Sequence, residues 1–113
     1  MKNQNSYVAF IVGHFSPLGE ITAKSMFGGH CLYCNGTVFA LIASNTLYLK
    51  ADSVNQPEFE ERGLKPFHPF KRQDAVMRYF TAPPEIFEDR EAMKQWAGGA
   101  IEAGRRSSKP KKR

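Results

Sequence analysis

Long hydrophobic runs and cysteines are both scarce in this sequence of 113 residues. A membrane-spanning helix needs about 20 consecutive apolar residues, and no run approaches that length, so we expect no transmembrane segment. The first 20 residues lack the small-residue cleavage site of a signal peptide. The two cysteines agree with a reducing compartment, and the length suits one domain. We therefore expect a single domain that stays in the cytoplasm.

Acidic residues are absent from the last nine positions, and the excess of positive charge is confined there. The formal net charge is +5, but residues 1–104 hold ten basic and eleven acidic side chains. That balance gives no support to nucleic-acid binding by the folded part. The tail has no apolar side chain to bury, so we predict a folded domain over residues 1–104 and a disordered basic tail over residues 105–113. Its cations are Arg105, Arg106, Lys109, Lys111, Lys112 and Arg113.

Two interpretations of this basic tail stay open. Six clustered cations can bind phosphate backbones weakly and without sequence preference, whereas a charged terminus can also serve only to keep a protein soluble. The tail has no aromatic side chain that could stack on bases. Nucleic-acid association through the tail is therefore the alternative function.

Four predicted strands and three turn signals occupy residues 20–52. An Asn-Gly pair between apolar segments is typical of a hairpin, and the turn signals are Gly28-Gly29, Asn35-Gly36 and Ser44-Asn45. They separate strands at residues 20–27, 30–34, 37–43 and 46–51. The third strand is apolar on both faces, which predicts that both are buried. One face would take the helices, and the other would need a covering segment or a homodimer.

Helices and one further strand flank this meander. Apolar residues at helical spacing predict a first helix that has Ser6 as its N-cap and ends at Pro17. A short helix is expected at residues 55–62, a loop at 64–73, and a fifth strand at 75–81. A final helix starts near Arg90 and buries a stripe that includes Trp96. The predicted fold class is α+β, a two-layer sandwich in which an antiparallel β-meander of about five strands packs against N- and C-terminal helices.

The cysteines and histidines form no recognisable catalytic or metal-binding motif. Cys31 and Cys34 lie three apart in a predicted strand, so their side chains point to opposite faces. A zinc-binding Cys-x-x-Cys pair needs a tight turn and a second pair of ligands. Joining either thiol to His68 leaves no third, orienting group. We expect no cofactor, no metal and no catalysis, and a small metal- or thiol-dependent enzyme is the remote alternative.

The outward side chains of the first and fourth strands form the candidate binding surface. Exposed methionine and aromatic side chains are enriched at protein interfaces. The charges on this surface could equally be a solvated ion pair, Lys50–Asp52 or Lys24–Asp52, of little energetic weight. The candidate protein-binding residues are Lys24, Met26, Phe27, Gly28, Gly29, Tyr48, Lys50 and Asp52.

Over about residues 7–106, nearly the whole chain, the sequence resembles the N-terminal domain of the TfoX/Sxy family, bacterial proteins linked to natural competence. The matching segments are AKSMFGG (23–29), LYCNG (32–36), FALI (39–42), LYLKAD (47–52), PF (66–67), MRYF (77–80) and WA (96–97). The resemblance implies helices packed against an antiparallel sheet. It also implies a non-enzymatic regulatory or co-activating role beside the transcription machinery. Longer family members add a C-terminal domain, so for these residues we expect a protein-interaction domain with a protein partner.

Overall fold

The computed structural model describes residues 4–26, 29–67 and 77–108, which form three α-helices and six strands. Two short 3₁₀ turns occupy Ser16–Leu18 and Pro84–Phe87. The helices and strands, in chain order, are α1 (Gln4–Phe15), β1 (Ile21–Met26), β2 (Gly29–Cys34), β3 (Thr37–Ala43), β4 (Thr46–Lys50), α2 (Gln56–Glu61), β5 (Pro66–Phe67), β6 (Met77–Thr81) and α3 (Arg90–Ser108).

The six strands make one antiparallel sheet in the order β1-β2-β3-β4-β6-β5. The turn between β2 and β3 has positive φ at Asn35 and Gly36, and the next turn has positive φ at Ser44 and Asn45. Positive φ at both central positions is what a type I′ hairpin requires. The predicted α+β meander is thus confirmed. The additional strand is β5, at the sheet edge, where the sequence suggested only a loop.

A bulge interrupts the pairing of β2 with β3. Leu32 lies opposite Ala40 whereas Tyr33 lies opposite Val38, so Phe39 is an extra residue. Strict alternation would put Phe39 and Ala40 on opposite faces of the sheet, yet both belong to the main core. The bulge therefore reverses the facing of β3 partway along the strand.

The main core lies between the sheet and the helices α1 and α3. Phe15 of α1 meets Phe39 edge to face with ring centroids 5.6 Å apart. Trp96 of α3 meets Phe59 in the same way at 5.2 Å. At Gly104 an added Cβ would collide with the main-chain oxygen of Val38, so glycine is what lets α3 approach β3 this closely.

A second cluster lies on the other face of the sheet, with Cys31, Leu41 and Tyr79 buried at its centre. Tyr48 and Phe67 pack beside them, with ring centroids 4.9 Å apart. Both faces of β3 are therefore buried, as predicted. Leu41 is 3% exposed in the single chain, so its burial does not require a second copy.

Two boundaries differ from the sequence expectation. Ser6 lies inside α1, which already includes Gln4, so Ser6 is not the N-cap. Helix α3 continues to Ser108, so Arg105 and Arg106 are helical and do not begin a disordered tail. The reason is packing, since Ala103 and Gly104 in the last turns are buried. Residues 109–113 lie outside the described part of the chain. Among the described residues, no helix is long and apolar enough to cross a membrane.

Candidate interaction surface

The sheet face that points away from the helices brings three tyrosines and two lysines onto one surface. Lys24 pairs with Cys31 in the register, Tyr48 pairs with Leu41, and Lys50 pairs with Tyr79, which places all of them on this face. Lys24 is exposed, and Tyr79 is only 5% exposed. We call the surface the Tyr–Lys face and define it by five residues: Lys24, Tyr33, Tyr48, Lys50 and Tyr79.

Lys50 and Tyr79 are coupled across the β4–β6 pair. The Lys50 Nζ atom lies 4.9 Å from the centroid of the Tyr79 ring, within the range of a cation–π interaction. Burial lowers the pKa of Lys50, against the opposing charges of Asp52 and Cys31. Burial, with Cys31 and Tyr33 nearby, raises the pKa of Tyr79 to about 12. The Tyr79 hydroxyl therefore keeps its proton at neutral pH and remains a hydrogen-bond donor.

Asp52 has a structural partner different from either lysine. Its Oδ2 accepts a hydrogen bond from Arg106 Nε at 2.5 Å, and its Oδ1 accepts one from Arg106 Nη2 at 2.9 Å. Such two-point pairing is the strong form of a carboxylate–arginine contact. The Arg106 hydrogen bond is the main reason that the Asp52 pKa falls from 3.8 to about 2. Asp52 thus ties the end of β4 to the end of α3, and the predicted pairing with Lys50 or Lys24 is replaced.

The Met26–Gly29 segment joins β1 to β2, and its described part differs from the prediction. The backbone of Met26 pairs with that of Gly29. Gly29 is buried, and an added Cβ there would collide with the main-chain oxygen of Ile42. Gly29 therefore permits close packing of β2 on β3 and is not part of an exposed turn. The Met26 side chain, Phe27 and Gly28 lie outside the described residues, so their predicted role stays a prediction.

Neither thiol is in a disulfide, and both are buried, on opposite faces of the sheet. Cys31 belongs to the second cluster and Cys34 to the main core, as the strand spacing predicts. Burial raises the pKa of both thiols, opposed in part by Lys50 near Cys31 and by Arg105 near Cys34. A reactive thiol needs a lowered pKa and exposure, and both cysteines have the opposite. His68 lies outside the described residues.

The described residues also bear on the possible metal ligands and on two of the tail cations, Arg105 and Arg106. Over residues 4–26, 29–67 and 77–108, no group of three or more His, Cys, Asp or Glu side chains could hold a metal ion. The Nε atom of Arg105 lies 3.9 Å from Oε2 of Glu102, and Arg106 forms an ion pair with Asp52. The remaining four tail cations, Lys109, Lys111, Lys112 and Arg113, lie beyond the described part.

Sequence reasoning missed Tyr33 and Tyr79 as members of the surface. Tyr33 could have been found, because it alternates with Cys31 on β2 and Cys31 lies opposite Lys24. Tyr79 could not, because its place depends on β6 pairing with β4 across about 30 residues. Burial of Tyr79 beneath Lys50 follows from that long-range pairing alone.

A cavity of about 490 Å³ was also missed, and it lies on the opposite side of β6 from Tyr79. Its volume falls in the range of small-ligand sites. Apolar side chains lie among charged ones at this site, and the lining comprises Gln56, Glu60, Gly63, Leu64, Lys65, Pro66, Arg78 and Phe80. The sequence carries no signal for the cavity because it forms where α2 meets the β5–β6 edge.

Comparison with known proteins identifies the family of the chain. The model of the TfoX N-terminal domain matches residues 13–104. The DNA transformation protein TfoX1 of Aliivibrio fischeri (strain ATCC 700601 / ES114) is 34% identical over 76 residues. That stretch covers 66% of this chain and 36% of TfoX1, so the similarity concerns about a third of the relative. The match over most of the chain places it in the TfoX N-terminal domain family.

Proposed function

We propose that this domain is a non-enzymatic regulatory module that acts by binding a protein through the Tyr–Lys face, in the manner of a competence-type co-regulator in the cytoplasm. The observation that carries the proposal is the grouping of half-buried tyrosines with lysines on a sheet face that α1 and α3 leave uncovered. Family membership and the name of the relative, a DNA transformation protein, support the link to competence.

The chemistry of the Tyr–Lys face suits a protein partner with an acidic surface. Tyrosine is enriched at protein interfaces because it offers a large apolar ring and one polar group. Tyr33 and Tyr48 are half-buried, so their rings are held by neighbours before any partner binds. Among the described strand side chains on this face, the charged ones are Lys24 and Lys50, and none is acidic. Complementary charge would therefore come from the partner.

The absence of catalysis remains part of the proposal and rests on the environment of the reactive groups. The two thiols are buried with raised pKa values, and the Tyr79 hydroxyl is held protonated. The Lys50 Nζ atom lies over the Tyr79 ring, 4.9 Å from its centroid. These features favour recognition over chemistry at the Tyr–Lys face.

The binding proposal is tested by quantitative pull-down from native bacterial lysate. The baits are wild type, Lys24→Glu and Tyr33→Ala, with Lys94→Glu on the exposed side of α3 as the matched charge-reversal control. Phe27→Ala is a fifth bait for the predicted Met26–Gly29 contribution. We expect a specific protein to be captured by wild type and Lys94→Glu and at least tenfold less by Lys24→Glu. Equal capture by all baits, or none by wild type, would contradict the proposal.

The regulatory part is tested separately in a hybrid protein. In the hybrid, this chain replaces the aligned segment of TfoX1, and transformation frequency is measured in a strain that lacks TfoX1. We expect the hybrid to restore transformation, the Lys24→Glu hybrid to lose most of it, and the Lys94→Glu hybrid to retain it. A Lys24→Glu hybrid as active as the unaltered hybrid would refute a regulatory role for this face.

A further inference from the structure

Helix α1 carries no Asp, Glu, Lys or Arg anywhere along Gln4–Phe15. Its inner side buries Val8, Ile11 and Phe15. Its outer side exposes Ser6, Ala9, Phe10 and Gly13. A helix without a charged side is typical of one that is covered all round, yet one side of α1 is open in the single chain.

Phe10 is the centre of this open side. Its side chain is 55% exposed, although large apolar side chains usually gain most from burial. The ring is held in place by neighbours, with centroids 5.9 Å from His14, 6.0 Å from Phe87 and 6.5 Å from Tyr7. His14 is itself fixed by a 2.8 Å hydrogen bond between Nε2 and the main-chain oxygen of Ile86. Phe10 is thus a supported ring that projects from the surface.

A hollow of about 350 Å³ lies beside Phe10 and is lined by Ser6, Tyr7, Phe10 and Asn45. None of these four described residues carries a formal charge, so an entering apolar ring would displace no ion pair of theirs. One turn further along the same side, an added Cβ at Gly13 would meet nothing within 4 Å. Small side chains at Ala9 and Gly13 allow another helix to come close, because side-chain size sets the distance between packed helices.

We propose that a second copy of this chain packs its α1 antiparallel against this α1, so that each Phe10 enters the hollow beside the other Phe10. The projecting ring and the hollow adjoin each other on one helix, and such self-complementarity is what a two-fold interface requires. No charged side chain lies among the described residues of this surface, so two identical copies bring no like charges together there.

The expected interface is small. A helix of 12 residues is about 18 Å long, which is too short for the roughly 800 Å² per partner of a standard stable interface. The dimer is therefore weak and reversible, and it forms as the protein concentration rises. It uses the helix side of the sheet, so the Tyr–Lys face on the other side stays available to a different partner.

Sedimentation velocity from micromolar to near-millimolar concentration tests the dimer. The variants are Phe10→Glu and Gly13→Arg. Each places a charge in the proposed contact between the two α1 helices, which we call the seam. Val54→Glu is the matched control, because Val54 is the other large apolar side chain that is exposed among the described residues, at 63%. We expect wild type and Val54→Glu to approach twice the 12.8 kDa chain mass. Phe10→Glu and Gly13→Arg should remain monomers with wild-type secondary structure.

Each outcome decides the proposal. A wild type that stays monomeric over the whole range overturns it, whatever other molecule the surface binds. Association of both seam variants at wild-type strength also overturns it, since the contact would then lie elsewhere. If Phe10→Glu fails to fold, Gly13→Arg decides the question, because its side chain enters open space. Lys24→Glu should dimerise like wild type, which keeps this result separate from that of the proposed function.

Discussion

Helices α1 and α3 cover the same face of the sheet, but their outer sides differ. The outer side of α3 carries Arg90, Glu91, Lys94, Glu102 and Arg105, all exposed. The outer side of α1 carries no charge and exposes Phe10. Both helices place residues in the main core, so membership of the core does not explain the difference. The outer side of a helix is therefore informative about partners in a way that its buried side is not.

The largest effect is expected within α1, between its buried and its exposed phenylalanine. Phe15→Ala removes a ring that is fully buried against Phe39, so we expect a loss of about 3–5 kcal/mol in the free energy of unfolding. Phe10→Ala should lose less than half of that at low protein concentration, because its ring is mostly exposed. Urea unfolding of the two variants measures the difference. Equal losses would show that the exposed ring is structural, which would remove the contrast with α3.

A second contrast concerns glycines on the two helices. Gly104→Ala places a Cβ against the main-chain oxygen of Val38, and we expect a loss of about 1–3 kcal/mol through overpacking. Gly13→Ala meets open space and should add up to about 1 kcal/mol, because alanine is the better helix former.

Gly98→Ala on α3 is the control for this pair, since its Cβ also meets nothing within 4 Å. Thermal unfolding of the three variants at low concentration should rank Gly104→Ala lowest and the other two at or above wild type. A stabilised Gly104→Ala would mean that α3 can move away from β3.

The ion pair at the end of α3 predicts a pH dependence. The pKa of Asp52 is depressed in the folded state from 3.8 to about 2, so its stabilisation is fully present above about pH 4. It is lost as the pH falls from about 4 towards 2. Arg106→Gln should therefore be less stable than wild type at neutral pH and converge with it near pH 2. Arg105→Gln, whose contact with Glu102 is 3.9 Å long, should show a smaller difference; the prediction fails if the two variants behave alike.

The smallest expected effect lies beyond α3. Removal of residues 109–113 deletes four cations but leaves the Asp52–Arg106 pair intact. If the tail binds nucleic acid, gel-shift affinity should fall and its dependence on salt should become shallower. Unchanged binding would exclude the tail as a nucleic-acid site. Truncation at residue 105, where the sequence predicts that the tail begins, would also remove Arg106 and with it the ion pair to Asp52.

Local signals predicted much of the sheet, and long-range pairings account for what they missed. The turns at Asn35-Gly36 and Ser44-Asn45 fixed β2, β3 and β4, because positive φ is encoded by a few residue types. The bulge at Phe39 has no such signal, since neither glycine nor proline marks it. Strand β5 is two residues long and exists only because β6 lies beside it.

The candidate surface was predictable to the same extent. Lys24, Tyr48 and Lys50 follow from alternation along β1 and β4, and the structure places them on one face. Asp52 was placed beside Lys50 because they are near in sequence, but its partner Arg106 is 54 residues away. Periodicity cannot choose between a neighbouring lysine and a distant arginine, because that choice depends on how α3 docks.

The extra residue in β3 has a practical consequence for anyone who redesigns this sheet. The Asn35-Gly36 turn sets the register of Thr37 and Val38 with β2. The Ser44-Asn45 turn sets the register of Ala40 to Ala43 with β4. Phe39 is the bulge residue that separates these two registers. The loop of either hairpin can therefore be replaced by a longer one without changing the register at the other hairpin, provided that the bulge at Phe39 is kept.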